Sequence, residues 1–206
     1  MIIRKLACTF GIISSFTPAF FFIFHLLFII LTSSCKNPEK QGLNEKPYFD
    51  LTSFFNGQIT KLNHDSLIVI KTSAINGKTA EHRMNWTDWK REFVLFLESD
   101  INKSSLIGKY LIDTLGENNG AGMKIRYQAI DSLLRTRLLE VSFRDQAVKE
   151  IYIINKTSGF LSSSSENLLY HPLELYIIKT STQNRFFGMN DFSVMGKITT
   201  KEKKYF

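Results

Sequence analysis

The sequence predicts an α+β fold, in which a curved, half-barrel-like antiparallel β-meander sheet packs with two amphipathic helices. Three observations predict it. Two stretches in the first half, 50–63 and 85–101, carry apolar residues at helical spacing. From residue 109 onward, short alternating apolar and polar segments are separated by turn signals roughly every 8–12 residues, the spacing of antiparallel strands. Helices and strands do not alternate along the chain, so a parallel βαβ architecture is excluded in favour of segregated elements.

Segment 50–63, DLTSFFNGQITKLN, places Leu51, Phe54, Phe55, Ile59 and Leu62 on one face, with Asp50 before the first turn as its cap. Segment 66–73 is apolar and β-branched, Asn76-Gly77 is a strong hairpin signal, and the polar return over 79–84 reads as an edge strand. In 85–101, NWTDWKREFVLFLESDI, Asn85 is the expected cap of one continuous helix. Trp86, Trp89, Phe93, Phe96, Leu97 and Ile101 build its wide apolar face, broadened by Val94 and Leu95. Glu98 and Asp100 near its end oppose the helix dipole, which implies a frayed last turn or pairing with Lys103. Strand patterns follow over 109–115, 123–129, 134–143, 148–155, 160–170, 173–180 and 192–198, giving eight or nine strands in all. The loop 116–122, GENNGAG, lacks the Lys-Ser/Thr ending of a phosphate-binding loop and the spacing of a dinucleotide fingerprint. The tail 201–206, KEKKYF, reads as a basic, frayed end.

Ahead of these elements, Arg4 and Lys5 form a positive cluster, 20–31 is an apolar run, Thr32, Ser33 and Ser34 are small, and Cys35 follows. This resembles the type II signal peptide of bacterial lipoproteins, with Thr32 where that family favours Leu. The resemblance covers residues 1–35 and implies removal of 1–34 and acylation of Cys35. Residues 6–31 are also long enough to span a bilayer, interrupted by Ser14, Ser15, Pro18 and His25, so an uncleaved anchor is the alternative. Both readings place the domain outside the cytoplasm on a membrane. The polar segment 35–46, with Pro38 and Gly42, reads as an acylated cysteine and tether of roughly 20 Å reach. The expected organisation is thus a signal peptide over 1–34, a lipidated tether over 35–46 and a single domain over 47–206. In lipoproteins, an Asp after the cysteine marks inner-membrane retention in some bacteria, and acidic runs mark surface export in Bacteroidetes-type bacteria. Lys36 stands there instead, with no acidic run, so the resemblance implies the periplasmic face of the outer membrane.

The chain has 206 residues and a formal net charge of +7. Removing Arg4 and Lys5 from the 26 basic residues leaves 24 against 19 acidic ones, a formal +5. The basic residues are scattered, so a solvated surface near anionic lipid is expected rather than a nucleic-acid partner. The two cysteines are Cys8 and Cys35, so no disulfide is expected in the domain.

Chemistry-bearing patterns are sparse. His64, His82 and His171 stand alone in their segments, and no metal or other cofactor is implied. No G-x-S-x-G elbow or Ser-x-x-Lys motif occurs, and Ser162–Ser165 have no nearby base. Glu98, Asp100, Asp131 and Glu166 are candidate carboxylates, but no spacing pairs them as glycosidase-type acids. Catalysis is not expected. The residual signal is aromatic, with 18 Phe, 7 Tyr and 2 Trp. Trp86, Trp89, Phe93 and Phe96 line either an apolar pocket or a filled core, which periodicity does not separate.

The succession YFDLTSFF, the tryptophan-containing helix ending in FLESDINK, and the β-rich second half resemble a group of uncharacterised lipoproteins from Bacteroidetes-type bacteria. The resemblance covers most of the mature chain and implies no biochemical role. Two functions follow as expectations. The first is a membrane-tethered, non-catalytic binding or scaffolding module that meets an outer-membrane protein. The alternative is a carrier of a lipid or acylated ligand inside the curved sheet, a plan shared by lipoprotein-sorting carriers at the level of fold alone.

Overall fold

The computed structural model describes residues 46–64, 67–85, 87–116 and 122–200. The expected signal peptide, Cys35, the tether up to residue 45, Trp86, most of the glycine loop and the basic tail lie outside the described residues.

Helix α1 (Leu51–His64) forms where the apolar periodicity placed it. The Asp50 carboxylate accepts the Ser53 amide at 3.0 Å and so satisfies one open N-terminal donor. Lys61 and His64 occupy the last turn, where the helix dipole favours positive charge. Leu51, Phe55, Gln58 and Leu62 form its buried face.

The expected single helix over 85–101 is two short helices, α2 (Trp89–Glu92) and α3 (Val94–Glu98). Asp88, not Asn85, caps α2, accepting the Arg91 amide at 3.2 Å. Phe93, at φ −96° and ψ 11°, forms the joint between them. Trp89, Phe93 and Phe96, spaced i, i+4 and i+7, still share one face across the joint, and that face is turned toward the sheet. A 3-10 turn (Ser104–Leu106) then leads to the strands.

The strands are β1 (Leu67–Ile75), β2 (Lys78–Met84), β3 (Tyr110–Gly116), β4 (Met123–Ala129), β5 (Thr136–Arg144), β6 (Ala147–Ser158), β7 (Ser162–His171), β8 (Leu175–Asn184) and β9 (Gly188–Thr200). They form one open antiparallel sheet in the order β2-β1-β9-β8-β7-β6-β5-β4-β3. From β3 to β9 the chain meanders, and β1 then pairs with β9, so the earliest hairpin lies beside the last strand. The edges are β2, polar and exposed as predicted, and β3. Asn76 and Gly77 adopt φ of 46° and 84°, the left-handed pair that a two-residue hairpin turn requires.

Several strands run further than their apolar pattern. The stretch 156–158, expected to lie between strands, belongs to β6, β9 starts at Gly188 instead of 192, and Ser162–Ser165 lie in β7, within the expected strand 160–170. These polar extensions pair with one another, as in Thr157 with Ser164 and Thr182 with Asn190. Neighbouring strands satisfy their backbone groups, so the ladder continues where hydrophobicity stops.

The helices cover one face of the sheet. Leu139, Val141, Ile151, Ile153, Leu168, Tyr170 and Tyr176 alternate onto that face and are fully buried. From Lys46 onward the described residues form one compact unit with this single core.

Candidate functional site

Of the aromatic residues singled out above, Trp89, Phe93 and Phe96 lie among the described residues and sit at the centre of that core. Trp89 is buried, and Phe93 and Phe96 are fully so. Phe93 has ring neighbours from three directions: Phe55 of α1 at 5.1 Å, Tyr170 of β7 at 5.2 Å, and Tyr176 of β8 at 5.7 Å. Trp89 lies 5.6 Å from it, and Phe96 stacks on Phe55 at 4.9 Å. Most pairs are tilted or edge-on, the arrangement that the ring quadrupole favours. Tyr170 and Tyr176 complete this cluster and were not singled out in the sequence. Their local signal, two tyrosines flanking the His171-Pro172 turn, does not reveal that both rings point inward. The larger clefts lie elsewhere. One of about 700 Å³ runs beside Ile130, Arg137 and Ile154, and one of about 430 Å³ beside Gly57 and Pro172, and neither is lined by Phe93 or Phe96.

Two polar clusters are set into the helix–sheet interface. In the first, Lys71 of β1 and Tyr176 of β8 converge on Glu92 of α2. The phenol donates to Glu92 Oε2 at 2.6 Å, and Lys71 Nζ lies 2.7 Å from Oε1. The register explains how they meet. Gly196 of β9 is the cross-strand partner of both Lys71 and Tyr176, and with no side chain between them the Tyr176 ring fills the gap. A Cβ at Gly196 would stand 2.2 Å from two ring carbons. Burial pushes the Tyr176 phenol up, and the hydrogen bond and negative charge of Glu92 push it further, so it stays a donor.

In the second cluster, Arg135 bridges two of the candidate carboxylates, lying 2.9 Å from Glu166 and 3.5 Å from Glu98. Buried Asn155 donates to Glu166 at 3.0 Å and to Ser99 Oγ at 2.8 Å. The Ser99 hydroxyl in turn donates to the Leu95 carbonyl at 2.6 Å, which closes the end of α3. Thr136 and Tyr110 continue the chain of bonds, and burial, with the nearby Tyr48 adding, pushes the Tyr110 phenol up to about 12. An open cleft of about 290 Å³ lined by Glu98, Asp100, Lys103, Tyr110 and Arg135 adjoins the cluster. Lys103 reaches the Glu98 backbone carbonyl at 3.1 Å, so the expected pairing at this helix end is with the carbonyl, while Arg135 takes the carboxylate.

The other candidate residues do not converge. Asp100 accepts the Thr52 hydroxyl at 2.6 Å and the Asn102 amide at 3.0 Å, tying α1 to the helix end. Asp131 accepts the Leu133 amide within its own turn. His64 closes α1, His82 is exposed on the edge strand, and His171 lies 3.5 Å from Glu150. Among the described residues no group of three or more His, Cys, Asp or Glu side chains has the arrangement of a metal site. Each hydroxyl in the clusters is committed to a carbonyl or a carboxylate, and Arg135 to two carboxylates. The arrangement joins helices to sheet, with no nucleophile presented beside a base. No helix among the described residues is long and apolar enough to cross a membrane. No protein-family model matches the chain, and no curated protein matches it in sequence.

Proposed function

We propose that the chain is a lipoprotein anchored through Cys35 at the periplasmic face of the outer membrane, and that its domain is a non-catalytic binding and scaffolding module. One observation favours this over the carrier reading: the space between helices and sheet is taken by contacting rings, with Phe55, Phe93, Phe96, Tyr170 and Tyr176 all fully buried. A half-barrel curl of the sheet around the helices agrees with such a filled interior. A carrier needs an apolar volume of several hundred Å³ for its ligand. The clusters around Glu92 and Arg135 then serve to lock the helices to the sheet, and binding falls to the outer surface.

The test has two parts. Expressed in a diderm bacterium, the wild-type chain should incorporate a fatty-acid probe and lose residues 1–34, whereas Cys35→Ser should remain unlabelled and unprocessed. The folded domain should not take up a fluorescent fatty acid. A wild-type chain that keeps its N-terminus and carries no lipid would refute the anchor. Saturable uptake of the fatty acid would put the carrier first.

A further inference from the structure

Antiparallel meandering sends four hairpin turns to one end of the sheet: 76–77, 130–135, 159–161 and 185–187. Turns are ordinarily polar. Here Phe160 and Leu161 are exposed in one of these turns, and Phe186 and Phe187 in another, with relative exposures of 85%, 51%, 73% and 83%. Ile75 precedes the turn 76–77, and Ile130 and Leu133 lie in the turn 130–135, all of them exposed. At the other end, the β5–β6 turn is Asp145-Gln146. Among the described residues the exposed phenylalanines, Phe160, Phe186, Phe187 and Phe192, are all at this end, while the β7–β8 turn at the other end exposes Leu173.

These tips are built and held in place. The Asn184 side chain accepts the Phe186 and Phe187 amides at 2.9 and 3.2 Å, and Gly188 at φ 78° closes the turn, so both rings project outward. The Arg185 amide donates to the Leu161 carbonyl at 3.0 Å, and its guanidinium sits over the Phe160 ring at 5.4 Å, which ties two tips together. Asn76 and Asp191 exchange two bonds of 2.9 Å, which aligns the first turn with β9. Exposed rings on a braced edge are a contact surface, since a monomer gains nothing by displaying them.

We propose that this end of the sheet is a lipid-contact rim, whose Phe160, Leu161, Phe186 and Phe187 enter the interfacial region of an anionic phospholipid bilayer. The charge pattern selects a bilayer over a protein groove. Of the four turns only 130–135 holds an acidic residue, Asp131, whose carboxylate accepts the Leu133 amide, while Arg185 lies among the rings and exposed Lys78 and Lys156 flank them, a net positive pattern that anionic headgroups attract.

The test uses the full chain reconstituted in vesicles of zwitterionic and anionic phospholipid, with bromine atoms on the acyl chains as quenchers. Phe187→Trp adds a reporter at the rim and Glu174→Trp one at the opposite end, each read as the difference from the unsubstituted chain. The rim reporter should lose about half its emission, as a ring seated ~5–10 Å into the boundary would, and the Glu174→Trp reporter should lose none. Adding Phe160→Ser and Phe186→Ser to the Phe187→Trp chain should abolish the quenching and leave the melting temperature unchanged. Fatty-acid labelling is scored on the same samples. A labelled, vesicle-bound chain whose rim reporter is unquenched, or quenched no more than the opposite-end one, overturns the rim and leaves the anchor standing. Quenching without labelling upholds the rim and removes the anchor. A rim reporter that is shielded without lipid as chain concentration rises assigns the surface to a second copy and also overturns the proposal.

Discussion

Replacing Phe93 by alanine tests the filled interior most directly. The side chain is fully buried and is surrounded by Phe55, Trp89, Phe96, Tyr170 and Tyr176, with centroids 5.1–5.9 Å away. Truncating a buried phenylalanine costs about 3–5 kcal/mol, and the cost rises with the cavity that remains. The surrounding rings belong to α1, the α2–α3 pair, β7 and β8. Collapse onto the void would have to shift a helix relative to two hydrogen-bonded strands, so little relaxation is available and the upper half of that range is expected. The assay is denaturant unfolding of a chain beginning at Lys46, followed by far-ultraviolet and tryptophan signals. The midpoint should fall while the slope is unchanged. A loss under about 1 kcal/mol, together with weaker binding of a fluorescent fatty acid, would show that the ring faces a ligand volume and would refute the reasoning.

Gly196→Ala should destabilise by roughly 3 kcal/mol, because its Cβ displaces the Tyr176 ring and breaks the phenol's bond to Glu92. Tyr176→Leu in the same chain should recover part of that loss, and strict additivity in the double-mutant cycle would rule the collision out. Glu92→Gln removes the charge that raises the Tyr176 phenol, so one late-titrating tyrosine should move to lower pH in a spectrophotometric titration. Tyr110 and Tyr170 are held up to about 12 by burial, above their usual value near 10. The unfolded chain releases these protons first, so stability is intact below about pH 10 and declines toward about 12, at up to about 1.4 kcal/mol per pH unit for each phenol. Unfolding midpoints measured across that interval check the slope, and a flat profile contradicts it.

Much of the fold was legible because it follows local rules. The periodicity of α1, the Asn76-Gly77 turn and the alternation of β4 and β5 each depend on neighbours in sequence, and their limits came out within a few residues. The break at Phe93 was not legible. Trp89, Phe93 and Phe96 keep the i, i+4, i+7 spacing of one helical face across it, so the periodicity carries no sign of the interruption. The polar strand ends at 156–158 and 188–191 were missed because they are held as strands by cross-strand partners and carry no apolar pattern, whereas Ser162–Ser165 lay within the expected strand 160–170. For the site, the tryptophan-helix aromatics were visible as a stripe. The convergence of Lys71, Glu92, Tyr176 and Gly196 was not, because these residues come from four separate elements and only the register brings them together. The rim was overlooked because Phe160, Phe186 and Phe187 lie in turns, where an apolar residue has no periodicity to announce it.

The pairing of β1 with β9 has a consequence for how the protein comes into being. Residues 67–75 wait for residues 192–200 before they gain their second neighbour, a separation of most of the domain. Contacts so distant in sequence are slow to form, because loop closure must precede any reward. During synthesis the β1–β2 hairpin therefore has an unsatisfied edge until the last strand emerges, and the sheet is completed only when the whole domain is available. A truncation that removes β9 strips one neighbour from both β1 and β8 at once. The last strand is thus the clasp of the fold, and a chain arrested before it is an assembly with two exposed edges at its centre.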